Sequence, residues 1–225
     1  MSTISFSDLA RAAYCPRQLY YARKDDDRSL PEDVTAAIDL AFEYRHNRVA
    51  DAETLAETPI ELEPAAYRRA LDRLRDGPFW PAIADPSARG VFVAGRDCHG
   101  RIDKLLEPDT HDLGEGPVPS IVSPGRPPER GVWEPQSVRA VAAAKALAWE
   151  REREIPRAIV EYPTVGVVRT VDLTVRRRAT YRRALRTARS IDGPPPRVND
   201  SRCEGCSYRD RCGTRTRSIA SLLGL

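Results

Sequence analysis

Residues 90–106 read GVFVAGRDCHGRIDKLL. Two short runs rich in apolar and β-branched residues, 90–95 and 101–106, flank Asp97-Cys98-His99-Gly100, a tetrapeptide of turn composition that ends in glycine. The stretch reads as a β-hairpin with Asp103 in its second strand. Toward the C-terminus, residues 119–124 form a third short strand that Pro124 and Gly125 terminate, because proline cannot donate to a ladder. An alanine-rich helix over 136–154, strands over 158–162 and 169–175, and an arginine-rich helix over 177–190 follow. Toward the N-terminus, Ser5 or Ser7 can cap a first helix carrying Leu9, Ala12 and Ala13, and Pro16 forces that helix to break just after Cys15. A second helix is expected from Pro31 to about Glu57. Ile38, Phe42, His46 and Val49 fall along one stripe of it, which puts His46 on or beside the buried face. Residues 65–76 form a third helix ending at Gly77-Pro78.

Helices, three strands, a helix, two strands and a helix, in that order, point to an α/β or α+β chain with a mixed sheet flanked by helices. With 225 residues and no long stretch of linker composition, residues 1–225 are expected to form a single domain. The N-terminal stretch has no basic segment followed by an apolar run, and no window approaches the ~18 apolar residues a membrane span needs. The expectation is a cytoplasmic protein with no membrane partner.

Charge is unevenly spread. Between Arg169 and Arg217 there are 14 Arg and no Lys against 5 acids, a net +9 in a chain of net +3, so the remainder carries −6. A basic C-terminal third on an acidic body suggests contact with a polyanion, although the arginines of residues 176–189 equally fit the solvated face of a helix.

Five cysteines are too few for a disulfide scaffold, and three of them crowd into Cys203-x2-Cys206-x5-Cys212, just after Gly193-Pro194-Pro195-Pro196. Three soft thiolates at that spacing point to a metal, and a fourth ligand must come from Cys15 or Cys98, since no histidine lies downstream. Cys15, at the helix break in Tyr14-Cys15-Pro16-Arg17-Gln18-Leu19-Tyr20-Tyr21, is the better placed of the two. Ligand type alone admits zinc or an iron-sulfur cluster.

One cysteine just before Pro-Arg-Gln-Leu-Tyr-Tyr and a C-terminal Cys-x2-Cys-x5-Cys behind a proline-rich stretch closely resemble the CRISPR-associated Cas-four exonucleases and their RecB-like relatives. The resemblance spans nearly the whole chain. It implies the PD-(D/E)xK nuclease core, with Cys15, Cys203, Cys206 and Cys212 holding a 4Fe-4S cluster that pins the C-terminal tail to the N-terminal helix. It further implies Mg²⁺ or Mn²⁺ at His46 and Asp103, single-stranded DNA as partner, and CRISPR integrase proteins nearby. Phosphodiester hydrolysis of this kind needs hard oxygen ligands and a lysine beside the attacking water.

The motif is incomplete. Where the family has Val-Glu-x-Lys-x-Gly, this chain reads Val122-Ser123-Pro124-Gly125-Arg126-Pro127, so Ser123 replaces the carboxylate and Gly125 the lysine. On the following helix the family's glutamine falls on Val141 and its second polar position on Lys145, which becomes the candidate for a displaced catalytic lysine beside Asp103; Glu129 or Glu134 could supply a carboxylate from a loop. The expectation is a Cas-four-like iron-sulfur protein of spacer acquisition or DNA processing with a degenerate site. The rivals are an active single-stranded DNA exonuclease with displaced residues and a zinc-stabilised protein-interaction module.

Overall fold

The computed structural model describes residues 2–25, 30–107, 116–198 and 200–213. A six-stranded mixed sheet is built from β1 (Ile4–Ser5), β2 (Ala88–Ala94), β3 (Cys98–Leu106), β4 (Val118–Val122), β5 (Arg157–Tyr162) and β6 (Val167–Asp172). β3 pairs antiparallel with β2 on one side. On its other side its first residues pair parallel with β1 and its last with β4, antiparallel. β4 then pairs parallel with β5, and β5 antiparallel with β6. The parallel β4–β5 step is spanned by a crossover helix, α8 (Glu134–Glu150), as a parallel pair requires.

Helices α1 (Phe6–Tyr14), α2 (Pro16–Ala22), α8 and α9 (Val175–Ser190) cover one face of the sheet. α8 is nearly encircled: Ala140, Val141, Ala142, Ala143, Ala144, Ala146 and Leu147 are all buried, because small side chains let the sheet on one side and α1 and α9 on the other approach closely. The opposite face is covered by α3 (Glu32–Phe42), α4 (Tyr44–Val49), α5 (Ala52–Ala56), α6 (Pro64–Arg75) and α7 (Trp80–Ala84) over a second apolar cluster around Tyr44, Tyr67, Leu71, Ile83 and Ile159. Among the described residues no helix is long and apolar enough to cross a membrane.

The α/β class and the mixed sheet agree with the sequence reading; of the local details that differ, three bear on the candidate residues. The helix expected from Pro31 to Glu57 is three short helices, interrupted at Glu43 (φ −104°, ψ 13°) and around Ala50–Asp51. Each restart rotates the helical phase, so Tyr44 and Asn47 turn inward while His46 and Val49 face solvent. The expected buried stripe through His46 therefore does not exist. In the hairpin, Cys98, His99 and Gly100 belong to β3 itself, and the chain reverses over residues 95–97. Gly100 is required there because the Phe6 ring lies against its Cα, where a Cβ would meet ring carbon at 2.4 Å. Glu134, expected in a loop, opens α8.

At the other end, the break at Cys15 is as the sequence implies. Ser5 caps α1 by accepting the Asp8 N–H at 3.1 Å. The residue before Pro16 is forced out of the helical region, so Cys15 is extended (φ −159°, ψ 118°) and projects from the joint between α1 and α2.

Candidate functional site

Asp103 is buried at the middle of the sheet, on β3 beside the end of β4. Its Oδ2 accepts the Val122 N–H at 2.7 Å and lies 3.2 Å from Arg139 Nη2 of α8. The same guanidinium donates to the Val122 carbonyl at 3.1 Å. Arg139 thus straps β4 to α8 and neutralises the strand aspartate that a divalent cation would use. Burial of an unpaired carboxylate would be expensive, and this ion pair removes the cost.

Beyond Val122 the chain leaves the strand. Ser123 donates its N–H to the Glu161 carbonyl at 2.9 Å, and its hydroxyl receives Gln136 Nε2 at 3.2 Å. Gly125 follows with φ +80°, a conformation that favours glycine. Position 125 sits in a turn, off the strand.

The other candidates do not gather around Asp103. His46 is exposed on α4, on the far side of the sheet from Arg139 and α8. Lys145 is exposed six residues along α8 from Arg139, roughly 9 Å of helix rise. Its ammonium lies 5.7 Å from the centroid of the Tyr181 ring on α9. Glu134 pairs with Arg183 of α9 at 2.9 Å, and Glu129 is exposed.

A charge pair that the sequence reading passed over lies at the adjacent position. Lys104 Nζ, fully buried, donates to Glu161 Oε2 at 2.8 Å and to the carbonyls of Ala41 at 2.6 Å and Ile83 at 2.8 Å, while Ser120 Oγ bonds to Glu161 Oε1 at 2.5 Å. The ammonium also lies over the rings of Tyr44 and Phe42. Burial lowers the Lys104 pKa, and Glu161 opposes that shift. All three ammonium protons have acceptors, so the pair knits α3, α7, β3 and β5 together and leaves no donor for a reacting water. The visible signal was a lysine among apolar strand residues, Ile102, Leu105 and Leu106, and a glutamate in the apolar run Ala158-Ile159-Val160-Glu161-Tyr162.

The second candidate centre is at the joint of α1 and α2. The C-terminal segment, with a short 3-10 turn (Ser201–Cys203) and α10 (Arg209–Cys212), docks there through reciprocal bonds. Tyr14 Oη donates to the Arg202 carbonyl at 2.7 Å, and Arg202 Nη1 returns to the Tyr14 carbonyl at 2.6 Å. Asp25 accepts Arg211 Nη1 at 2.7 Å and Tyr208 Oη at 2.8 Å. The Tyr21 and Tyr208 rings stack at 5.7 Å, with the Arg211 guanidinium against both. Arg17 Nη1 reaches the Pro195 carbonyl at 2.6 Å.

This clamp carries Cys203, Cys206 and Cys212 to the Cys15 joint. Gln18 Nε2 lies 3.9 Å from Cys206 Sγ, Arg17 lies beside the Cys212 thiol and Arg202 beside that of Cys15. All four thiols are half-buried and none is in a disulfide. In kind the donor set fits a thiolate-bound metal: four soft ligands, an amide donor and guanidinium charge to offset the thiolates. As placed, no three His, Cys, Asp or Glu side chains among the described residues converge on a point that would hold a metal ion.

Cys98 is elsewhere. It is buried between α8 and α9, donating to the Ala142 carbonyl at 3.5 Å and receiving Tyr181 Oη at 3.3 Å. Burial pushes its pKa up to about 11, which keeps it a neutral thiol.

No family model and no curated protein matches the sequence. A solved structure, the crystal structure of SSO0001, matches with a TM-score of 0.43 and 13% identity, covering 95% of this chain and 87% of that one.

Proposed function

We propose that this chain is a Cas-four-like protein of the RecB nuclease type that binds single-stranded DNA in CRISPR spacer acquisition or DNA processing and does not cut it. The observation that carries the silent site is the Arg139 guanidinium 3.2 Å from the Asp103 carboxylate. A cation already holds the strand aspartate, the residues that replace the glutamate and lysine offer no charge, and Lys145 and His46 lie elsewhere. On this reading the PD-(D/E)xK core survives as a scaffold, with partners among DNA and CRISPR integrase proteins.

The cysteines support the second half of the proposal. Cys15, Cys203, Cys206 and Cys212 would hold a 4Fe-4S cluster, whose role here is to fasten the tail to the α1–α2 joint. The clamp of Tyr14, Asp25, Arg202, Tyr208 and Arg211 already brings the tail there. Zinc would accept the same four thiols, and metal analysis separates the two.

The test uses purified, anaerobically handled protein. Iron at cluster stoichiometry, retention of single-stranded DNA and no Mn²⁺-dependent cleavage are expected. Robust Mn²⁺-dependent cleavage abolished by Asp103→Ala would replace this reading by the active exonuclease. Stoichiometric zinc with no DNA binding would replace it by the protein-interaction module.

A further inference from the structure

A cavity of about 750 Å³ opens between α1, α2, the start of α8 and the C-terminal segment, lined among others by Arg11, Tyr14, Gln18, Trp133, Gln136 and Arg202. Its size is that of a small-molecule or single-residue site. We propose that it receives one base of a single-stranded DNA stacked on Trp133, with the flanking phosphates held by Arg11 and by the arginines of α9. This rests on the DNA-binding reading above and gives that reading a location.

Trp133 is 52% exposed, unusual for the largest apolar side chain, yet it is not free: its indole N–H donates to the Arg126 carbonyl at 3.0 Å. The ring is therefore pre-set at the cavity mouth, which lowers the ordering cost of stacking on it. Gln18 and Gln136 add amide groups, and Gln136 also donates to the hydroxyl of Ser123, the residue that follows β4, at 3.2 Å.

The local charge has a cationic surplus. Glu134 is taken by Arg183 at 2.9 Å, and Asp200 by Arg202 at 2.6 Å. Asp8 serves two guanidiniums, Arg23 at 3.0 Å and Arg11 at 3.8 Å, so one carboxylate faces two cations. On α9, Arg182 and Arg186 are exposed and form no ion pair among the described residues. An aromatic face with surplus guanidinium suits a chain of phosphates carrying unstacked bases. A duplex keeps its base faces inside the stack, and an acidic peptide would use the arginines while leaving the indole and amides idle.

The experiment titrates labelled oligothymidylate, with a duplex of equal length as control, by fluorescence anisotropy at several salt concentrations. Wild type, Trp133→Ala, Trp133→Phe and Arg182→Ala/Arg186→Ala are compared, with thermal unfolding to show that each folds. Trp133→Ala should weaken single-strand binding about five- to a hundredfold with the salt slope unchanged, and Trp133→Phe should recover most of the loss. Arg182→Ala/Arg186→Ala should instead flatten the slope by about 0.7 for each phosphate no longer neutralised. If Trp133→Ala binds like wild type while the arginine variant weakens, the cavity is not the site and DNA binding stands. Duplex binding as tight as single-strand binding also overturns the cavity assignment. If wild type binds neither nucleic acid, the DNA-binding reading itself fails.

Discussion

Arg139 of α8 occupies the carboxylate of Asp103 on β3: one Asp103 oxygen receives both the Arg139 guanidinium at 3.2 Å and the Val122 N–H at 2.7 Å. Wild-type protein should therefore show no Mg²⁺- or Mn²⁺-dependent nuclease activity. Removing the strap by Arg139→Ala should leave the site silent, because a single carboxylate holds a hard cation poorly against water. It should also destabilise the fold by about 2–4 kcal/mol in denaturant unfolding, since Asp103 is left buried and unpaired. Cleavage gained on Arg139→Ala would show that the guanidinium masks a working site.

Ser123→Glu/Gly125→Lys, which restores the family motif on paper, should not restore cleavage. β4 ends at Val122, and Gly125 has φ +80°, so a lysine there faces about 1–2 kcal/mol of backbone strain and projects from a turn. Metal-dependent cleavage by the double variant, assayed against its Asp103→Ala derivative, would mean that the chain can re-form the strand through Pro124.

The hairpin and the break at Cys15 were legible because they depend on local chemistry: apolar, β-branched runs flanking turn residues, and a proline after an extended residue, although residues 98–100 prove to be strand and not turn. The site was less so. Asp103 was placed correctly on its strand, but its partner Arg139 lies on a helix 36 residues away, a pairing that periodicity does not encode. His46 was misread because a short interruption at Glu43, between α3 and α4, resets the helical phase before it, and no glycine or proline announces that break. The Lys104–Glu161 pair was hidden because its partners lie 57 residues apart on strands that β4 separates, which no local pattern encodes.

That pair makes a third prediction. Glu161→Gln and Lys104→Met should each cost about 3–5 kcal/mol, as each leaves a buried charge without its partner. The double variant should cost less than the two singles together, with a coupling of about 1–3 kcal/mol in a double-mutant cycle. Simple additivity in urea unfolding would rule out the pair as a coupled element.

The cysteines divide into two kinds. On the proposed cluster assignment, Cys98→Ala should leave the iron content and visible absorbance intact, since its thiol is buried between α8 and α9 and kept neutral. Cys15→Ala should bleach the protein and lower its stability, because a metal that ties both ends of the chain contributes its binding energy to folding. The reverse pattern, read from colour and iron analysis, would reassign the fourth ligand.

The clamp that brings the tail to Cys15 should itself respond to acid. Hydrogen bonds from Arg211 and then Tyr208 lower the Asp25 pKa below its free value of 3.8. A carboxylate lowered on docking stabilises the docked tail at pH above that free value, and the contribution is lost as pH falls through the lower docked one. Hydrogen exchange at residues 209–213, corrected for its intrinsic pH dependence, should speed up in wild type across that interval. In Asp25→Ala exchange should already be faster at pH 7, and the added rise on acidification should shrink. Identical pH profiles in the two proteins would show that Asp25 does not hold the tail.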